Sequence, residues 1–393
     1  MEERARFVFE LEQDESTMAE LCRRYGITRP TGYKWWERYQ HGGVKGLEEV
    51  GRAPRHHPNA MSAELEEAVL DVRRAHSRWG PRKLRAWLAH KQPEQHWPAS
   101  STIGALLKRE GLTVARKRRR KTPPYRQPFQ SAQAANGVWC ADFKGWFRTG
   151  DGERCDPLTI SDAYSRYLLR CLAVGRSDTE HVESVFEAAF REHGMPEAIR
   201  TDNGAPFASR ALGGLSRLSV WWVKLGITPE RIAPGHPEEN GRHERLHRTL
   251  KAETACPPEA NRRAQQRKFD RFREEYNQER PHEALGQQTP ASVYVASPRI
   301  YSARLPEIEY PTGVVTRKVQ QHGQIYWKHQ AVFVSEVLAG EAVGLGALDE
   351  RYCTLYFGPV ELGIMDTWKL RVEPVRGRWA EAKPEDRPEG GEG

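Results

Sequence analysis

The sequence predicts a multidomain chain: all-α helix-turn-helix units at the N-terminus, a central α/β core and a small C-terminal β-barrel. Three observations predict it. Apolar residues recur with a spacing near 3.6 in segments of the first 112 residues, which is the period of a helix buried on one side. Between residues 138 and 295 strand-like and helix-like stretches alternate. From 313 to 376 the stretches are short, strand-like and punctuated by glycine. A length of 393 residues also exceeds one ordinary domain.

Residues 1–52 read as a helix-turn-helix domain. Thr17 can cap a helix running MAELCRRYG, Gly26 ends it, and Thr28 opens TRPTGYKWWERYQ. The second of these helices carries Lys34, Trp35 and Arg38, suited to a major groove, although Trp35 and Trp36 suit packing better. After the linker GRAPRHHPNA, residues 61–112 form a second helical unit. It contains AELEEAVLDVRRAH after Ser62, GPRKLRAWLAHK, and a last helix capped by Ser100 or Ser101. Residues 113–137 are a basic linker. Arg116, Lys117, Arg118, Arg119, Arg120 and Lys121 are consecutive, and prolines follow at 123, 124 and 128. Such a segment can track phosphates without reading bases.

In the central region, 138–295, VWCADFKGWFR reads as a strand and TGDGE as its turn. PLTISDA and RYLLRCLAV read as two further strands. A helix from Thr179 to about His193, the short strand EAIRTD, a helix near Arg210–Leu225 and the strand ITPERIA follow. Helices over about Gly241–Thr254 and Asn261–Gln278 complete the region. Beyond 313–376, with its strands VVTRKV, QIYWKHQAVFV, AVGLGAL and CTLYFGPVELGIM, the tail 377–393 lacks the apolar residues to fold.

Charge is distributed unevenly. Residues 1–133 hold 26 Lys and Arg against 16 Asp and Glu, whereas the rest holds 35 against 37. The basic excess in the first third predicts a polyanionic partner there. No apolar run is long enough for a membrane helix. The six cysteines form no Cys-x-x-Cys pair, which argues against a thiolate zinc site and suits a reducing cytoplasm.

Three carboxylates stand out. Asp142 interrupts an apolar and aromatic strand, Asp202 ends the strand IRTD, and Glu244 lies on the helix after PGHPEENG. From a strand centre, a strand end and a facing helix such groups can converge, as phosphoryl transfer with two Mg²⁺ ions about 3.5–4 Å apart requires.

The stretches GVWCADFKGWF, IRTDNGAPFAS, PGHPEENGRHERLHRTLKAE and YNQERPHEALGQQTPASVY resemble DDE-type transposases of bacterial insertion sequences, in the branch similar to retroviral integrases. The resemblance is strong over roughly 134–295 and weaker before it. It implies a ribonuclease-H-like catalytic core with Asp142, Asp202 and Glu244 as catalytic metal ligands for Mg²⁺, Mn²⁺ serving as a substitute. Lys251 matches the family's basic residue seven places after the glutamate, and Arg248 lies on the same helical face. The zinc-binding His/Cys module that opens retroviral integrases is absent. Between Asp202 and Glu244 stand 41 residues, where the family pattern has about 35. Glu238 would satisfy that count, but it sits among Pro and Gly. NGRHERLHRTLK aligns as a block, with the surplus placed within ALGGLSRLSVWW, so Glu244 is the expected ligand.

His243-Glu244-Arg245-Leu246-His247 is also a literal H-E-x-x-H, the signature of zinc proteases. The basic residues around it suit a phosphate better than a zinc ion. Minor candidates are Asp162, His236, Arg317 and Lys318. The expectation is therefore a cytoplasmic, nucleoid-associated enzyme. It binds double-stranded DNA at element ends and in the target, acts as at least a homodimer, and does not enter a membrane. A non-catalytic regulator derived from such an enzyme is the alternative from another class.

Overall fold

The computed structural model describes residues 2–49, 61–113, 132–176, 178–209, 211–232 and 241–374. The basic run Arg116–Lys121, most of the expected linker, His236, Glu238 and the expected disordered tail 377–393 lie outside them. The chain divides into two compact units, Met1–Ala63 and Glu64–Gly393. Among the described residues no helix is long and apolar enough to cross a membrane.

In the first unit α1 (Glu2–Glu12), α2 (Met18–Arg24) and α3 (Arg29–Gly42) surround Phe7, Val8, Leu21, Cys22 and Leu47. Thr17 caps α2 as expected. Its side chain accepts from the Glu20 N–H while the Glu20 side chain reaches back, closing a capping box. Gly26 takes φ +65°, and the Ile27 N–H returns to the Cys22 carbonyl at 2.9 Å, which ends α2 and turns the chain into α3.

The second unit begins with α4 (Ala63–Ala75), α5 (Pro81–Lys91) and α6 (Ser100–Arg109). Their apolar faces bury Val69, Leu84, Leu88, Ile103 and Leu107, with Trp79 and Trp97 filling the corners. The cap expected at Ser100 or Ser101 is instead Ala99, which makes no side-chain cap bond. Ser100 is already the first helical residue of α6.

The central sheet contains β1 (Val138–Phe143), β2 (Phe147–Arg148), β3 (Arg154–Asp162), β4 (Leu168–Val174), β5 (Ala198–Thr201) and β6 (Thr228–Arg231). β3 pairs antiparallel with β1, β2 and β4, whereas β5 is parallel to both β1 and β6. On one face α7 (Thr179–His193) and α8 (Arg217–Lys224) bury Trp139, Leu158, Ile160, Phe186, Phe190 and Trp222. On the other α9 (Gly241–Thr254) and α10 (Arg262–Gln278) cover Cys155, Leu168 and Cys171 with Leu246, Leu250, Phe269 and Phe272. This is the mixed sheet with flanking helices that the alternation predicts.

VWCADFKGWFR is not one strand. β1 pairs Phe143 with Leu158, and β2 resumes with Phe147 opposite Cys155, so the β1–β2 side carries one extra residue. Gly145, at φ +86°, absorbs it as a bulge. The bulge inverts the alternation of faces. Both Lys144 and Phe147 consequently point to the α9 side.

α10 also closes the outer edge of β4, whose other edge is paired with β3. The Asn277 side chain accepts from the Leu168 N–H at 2.8 Å and donates to the Leu168 carbonyl at 3.0 Å. Three turns earlier Gln266 accepts from the Ala173 N–H and donates to the Cys171 carbonyl, at 2.7 and 3.0 Å. Arg273 between them donates to the Leu169 carbonyl. Side-chain amides thus replace the neighbouring strand.

After α11 (Pro290–Val293) comes the C-terminal region, where the expected β-barrel is corrected to open sheets. The strands are β7 (Val315–Lys318), β8 (Gln324–Trp327), β9 (Gln330–Phe333), β10 (Ala342–Ala347), β11 (Tyr352–Phe357), β12 (Val360–Asp366) and β13 (Arg371–Pro374). One sheet runs β13–β12–β11–β10–β7, and β8–β9 is a separate hairpin turning at Lys328 and His329, both with positive φ. β7 is exposed along its whole length and does not pair with β13. Closure is unnecessary because Leu215, Val220 and Val223, on α8 and just before it, join the apolar cluster of Val343, Leu345, Leu355 and Leu362.

Replacing Asn277 by Leu leaves a buried N–H and carbonyl of β4 unpaired. Urea unfolding is expected to show a loss of about 2 kcal/mol or more, with the exposed Gln278→Leu near neutral.

Candidate functional site

The site grows from the face of the sheet beneath α9. In β1, Trp139, Ala141 and Phe143 point to the α7–α8 core, so Val138, Cys140 and Asp142 point the other way. Asp142 is paired across the sheet with Thr159 of β3, which shares its face. On α9 the residues at 243, 246, 247, 250 and 254 are buried, the stripe of a helix lying on a sheet. Two members of that stripe are histidines, and both meet Thr159.

The Thr159 hydroxyl lies 2.8 Å from His243 Nε2 and 2.7 Å from His247 Nε2, and 3.3 Å from the Asp142 carbonyl oxygen. The imidazoles stand nearly perpendicular, at 86°, with centroids 4.8 Å apart. Burial pushes His243 down to about 4. Burial, reinforced by His243 and Lys144, pushes His247 down to about 2. Both rings are neutral at physiological pH and clasp one hydroxyl between them. His247 Nδ1 is also 3.8 Å from Asp142 Oδ2.

This geometry gives the two histidines of H-E-x-x-H a structural task. The nitrogens that would hold zinc converge on a threonine hydroxyl. Among the described residues no three His, Cys, Asp or Glu side chains are grouped to hold a metal ion, and that statement includes Asp142, Asp202 and Glu244. The motif is a clasp fixing α9 to the sheet.

With one stripe of α9 buried, its flank is presented. Glu244, Arg248 and Lys251, one above another at i, i+4 and i+7, are exposed and line a cleft of about 480 Å³ with Arg78, Lys144 and His247. The cleft is cationic apart from Glu244. Asp202 follows β5 directly. Continuing the β1–β5 register by two residues brings it level with Asp142. Its carboxylate accepts the Gly204 N–H at 3.1 Å, and Asn203 Nδ2 ties the turn to the Ile232 carbonyl at 3.0 Å. Burial raises the Asp202 pKa and the Gly204 hydrogen bond opposes it; a bound cation would lower it further. The carboxylate donors of Asp142, Asp202 and Glu244 therefore suit a hard divalent ion by chemistry.

The other expected contacts divide. Lys34 is exposed on α3 and Arg38 half-exposed, whereas Trp35 packs edge-on against Phe7 at 5.5 Å within the helical core. Asp162 is structural: it is buried and accepts from Asn136 N–H and from Ser165 N–H and hydroxyl. Sequence reasoning missed Thr159, Lys144 and Arg78. Lys144 had a signal, since alternation from Asp142 puts it on the same face. Thr159 had none, because its role depends on the β1–β3 register.

Thr159→Val keeps shape but removes the hydroxyl that both buried imidazoles meet. Chemical denaturation is expected to show a loss of about 2–4 kcal/mol, with Thr159→Ser recovering most of it; equal stability of all three proteins would refute the clasp.

Comparison with known proteins agrees with this architecture. Two models described as integrase core domain match residues 132–237 and 225–290. A helix-turn-helix domain model matches 3–55 and a homeodomain-like model 31–107. A 31.7 kDa protein of insertion element IS407 from Burkholderia multivorans is 28% identical over 245 residues, 61% of this chain and 82% of its own. Transposase InsD of insertion element IS2 from Escherichia coli is 26% identical over 227 residues, 54% of this chain and 72% of its own. The HTLV-2 integrase catalytic core, solved with magnesium, aligns with 42% of this chain and 99% of its own at 15% identity. Its TM-score of 0.32 is too low to establish a shared fold. The chain thus matches helix-turn-helix models ahead of integrase core domain models and is similar to proteins of bacterial insertion elements.

Proposed function

We propose that the chain is an active DNA transposase that binds element ends, hydrolyses a phosphodiester there and joins the freed end to target DNA. One observation carries the reading: the His243–Thr159–His247 clasp turns Glu244, Arg248 and Lys251 into a cationic cleft beside Asp142. In this reading the core is ribonuclease-H-like, and Asp142, Asp202 and Glu244 hold Mg²⁺ or Mn²⁺. Bound metal supplies charge neutralisation at the phosphate and an acidified water.

The protein's own part is positioning. Lys144, Arg248 and Lys251 hold phosphate oxygens along the cleft, and Arg78 extends the cationic wall. Asp142 is fixed by its strand and Glu244 by the clasped helix, so neither must be ordered when DNA arrives. In the first step a P–O bond forms to water and the bond to the 3′-oxygen breaks, leaving a 3′-hydroxyl. In the second, that hydroxyl attacks a target phosphodiester, and again one P–O bond forms as another breaks. No covalent enzyme intermediate is needed. The two buried imidazoles are engaged with Thr159 and do not serve as the base.

Recognition of element ends is assigned to residues 1–112 and the basic linker, including Lys34, Arg38 and the run 116–121. Two ends must meet, so at least a homodimer on DNA is part of the proposal.

Separate Glu238→Gln, Glu239→Gln and Glu244→Gln variants test the site. Only Glu244→Gln is expected to abolish both cleavage and strand transfer while end binding persists. An active Glu244→Gln beside a dead Glu238→Gln overturns the assignment, and cleavage in excess chelator overturns the metal chemistry. A fragment of residues 1–133 is expected to prefer end DNA to random DNA, with affinity falling steeply in salt; absence of that preference removes the recognition assignment.

A further inference from the structure

A second cavity, of about 280 Å³, opens beside the cationic cleft and shares Lys144 and Lys251 with it. Its character is different. Phe147, Leu250 and Phe269 form an apolar floor, and Trp146 forms part of its wall. Trp146 is 54% exposed. The guanidinium carbons of Arg148 and Arg154 lie 5.7 and 5.3 Å from its ring centroid.

The bulge at Gly145 builds this chamber. By adding one residue it sends Lys144 and Phe147 to the same face and leaves Trp146 projecting between them. A ligand that fits must be compact, with an apolar planar part for the aromatic wall and an anionic part for the two lysines at the mouth. An intact duplex is too bulky to enter a cavity of this size, whereas a single base is not. A single nucleotide has both parts.

We propose that this chamber receives one unstacked nucleobase of the DNA whose backbone lies in the adjacent cleft, next to the bond that is cut. The inference rests on the proposed reaction and deepens it. Lys144 and Lys251 hold the phosphates on either side of the extruded nucleotide, and Trp146 stacks on its base. Withdrawing that base loosens the duplex beside the scissile phosphate and lets the strand approach the carboxylates. The cost is unstacking and unpairing of one base, which stacking on an aromatic ring offsets.

The test is a positional scan with the full-length protein. In a set of end duplexes each base pair flanking the cleaved bond is replaced in turn by a mismatch, and in a second set by an abasic site. A mismatch removes the unpairing cost only at the extruded position, so wild-type protein is expected to bind that one duplex roughly tenfold tighter. The abasic duplex at the same position, lacking the base to stack, is expected to gain less than the mismatch. Trp146→Ala is expected to bring the two to equal affinity and to slow cleavage of the fully paired duplex by roughly tenfold. Trp368→Ala, which alters a still more exposed ring in the turn between β12 and β13, should leave both measurements unchanged. Metal-dependent cleavage with no position favoured by a mismatch, or with Trp146→Ala indistinguishable from wild type, overturns the chamber and leaves the proposed reaction standing. No end binding and no cleavage in any duplex overturns the reaction itself.

Discussion

The arrangement around the carboxylates depends on one hydroxyl. Thr159 is wholly buried, and its hydroxyl gives two nearly buried imidazoles a common partner. A buried ring without a partner is costly, so α9 has a strong preference for the one position that satisfies both. That preference is directional, unlike the apolar contacts of Leu246 and Leu250, which tolerate a rotation of the helix. Since Glu244 neighbours one of the clasped residues, its placement follows from the polar contact more than from the apolar ones.

Much of this was legible in the sequence, and the parts that were not share a cause. The capping residue Thr17, the stop at Gly26, the helix over 179–193 and the two carboxylates at strand positions are local signals, and local signals survive without knowledge of the fold. The bulge at Gly145 was not legible. Alternation through VWCADFKGWFR places Phe147 in the α7–α8 core, and only the pairing with Cys155 shows the inversion. Thr159 is ordinary within PLTISDA until the register sets it opposite Asp142. The H-E-x-x-H motif carried a real geometric fact, that its histidines share a helix face, but the point at which they converge belongs to another strand.

The C-terminal strands illustrate the same limit. Glycine-punctuated β segments suggest closure, because closure is the commonest way for a small sheet to hide its apolar face. Here the face is hidden by α8, an element about 90 residues earlier in the sequence. The C-terminal region is thereby built onto the central domain through shared side chains. Composition of the strands alone carries no trace of that partner.

The amides of α10 along β4 have a consequence for assembly. A flat unpaired strand edge invites a strand from another molecule, and a protein that must gather copies of itself on DNA would risk pairing them there. Gln266, Arg273 and Asn277 take up the donors and acceptors such a strand would need. Under the proposed function, copies brought together by DNA therefore have no ladder to extend through β4.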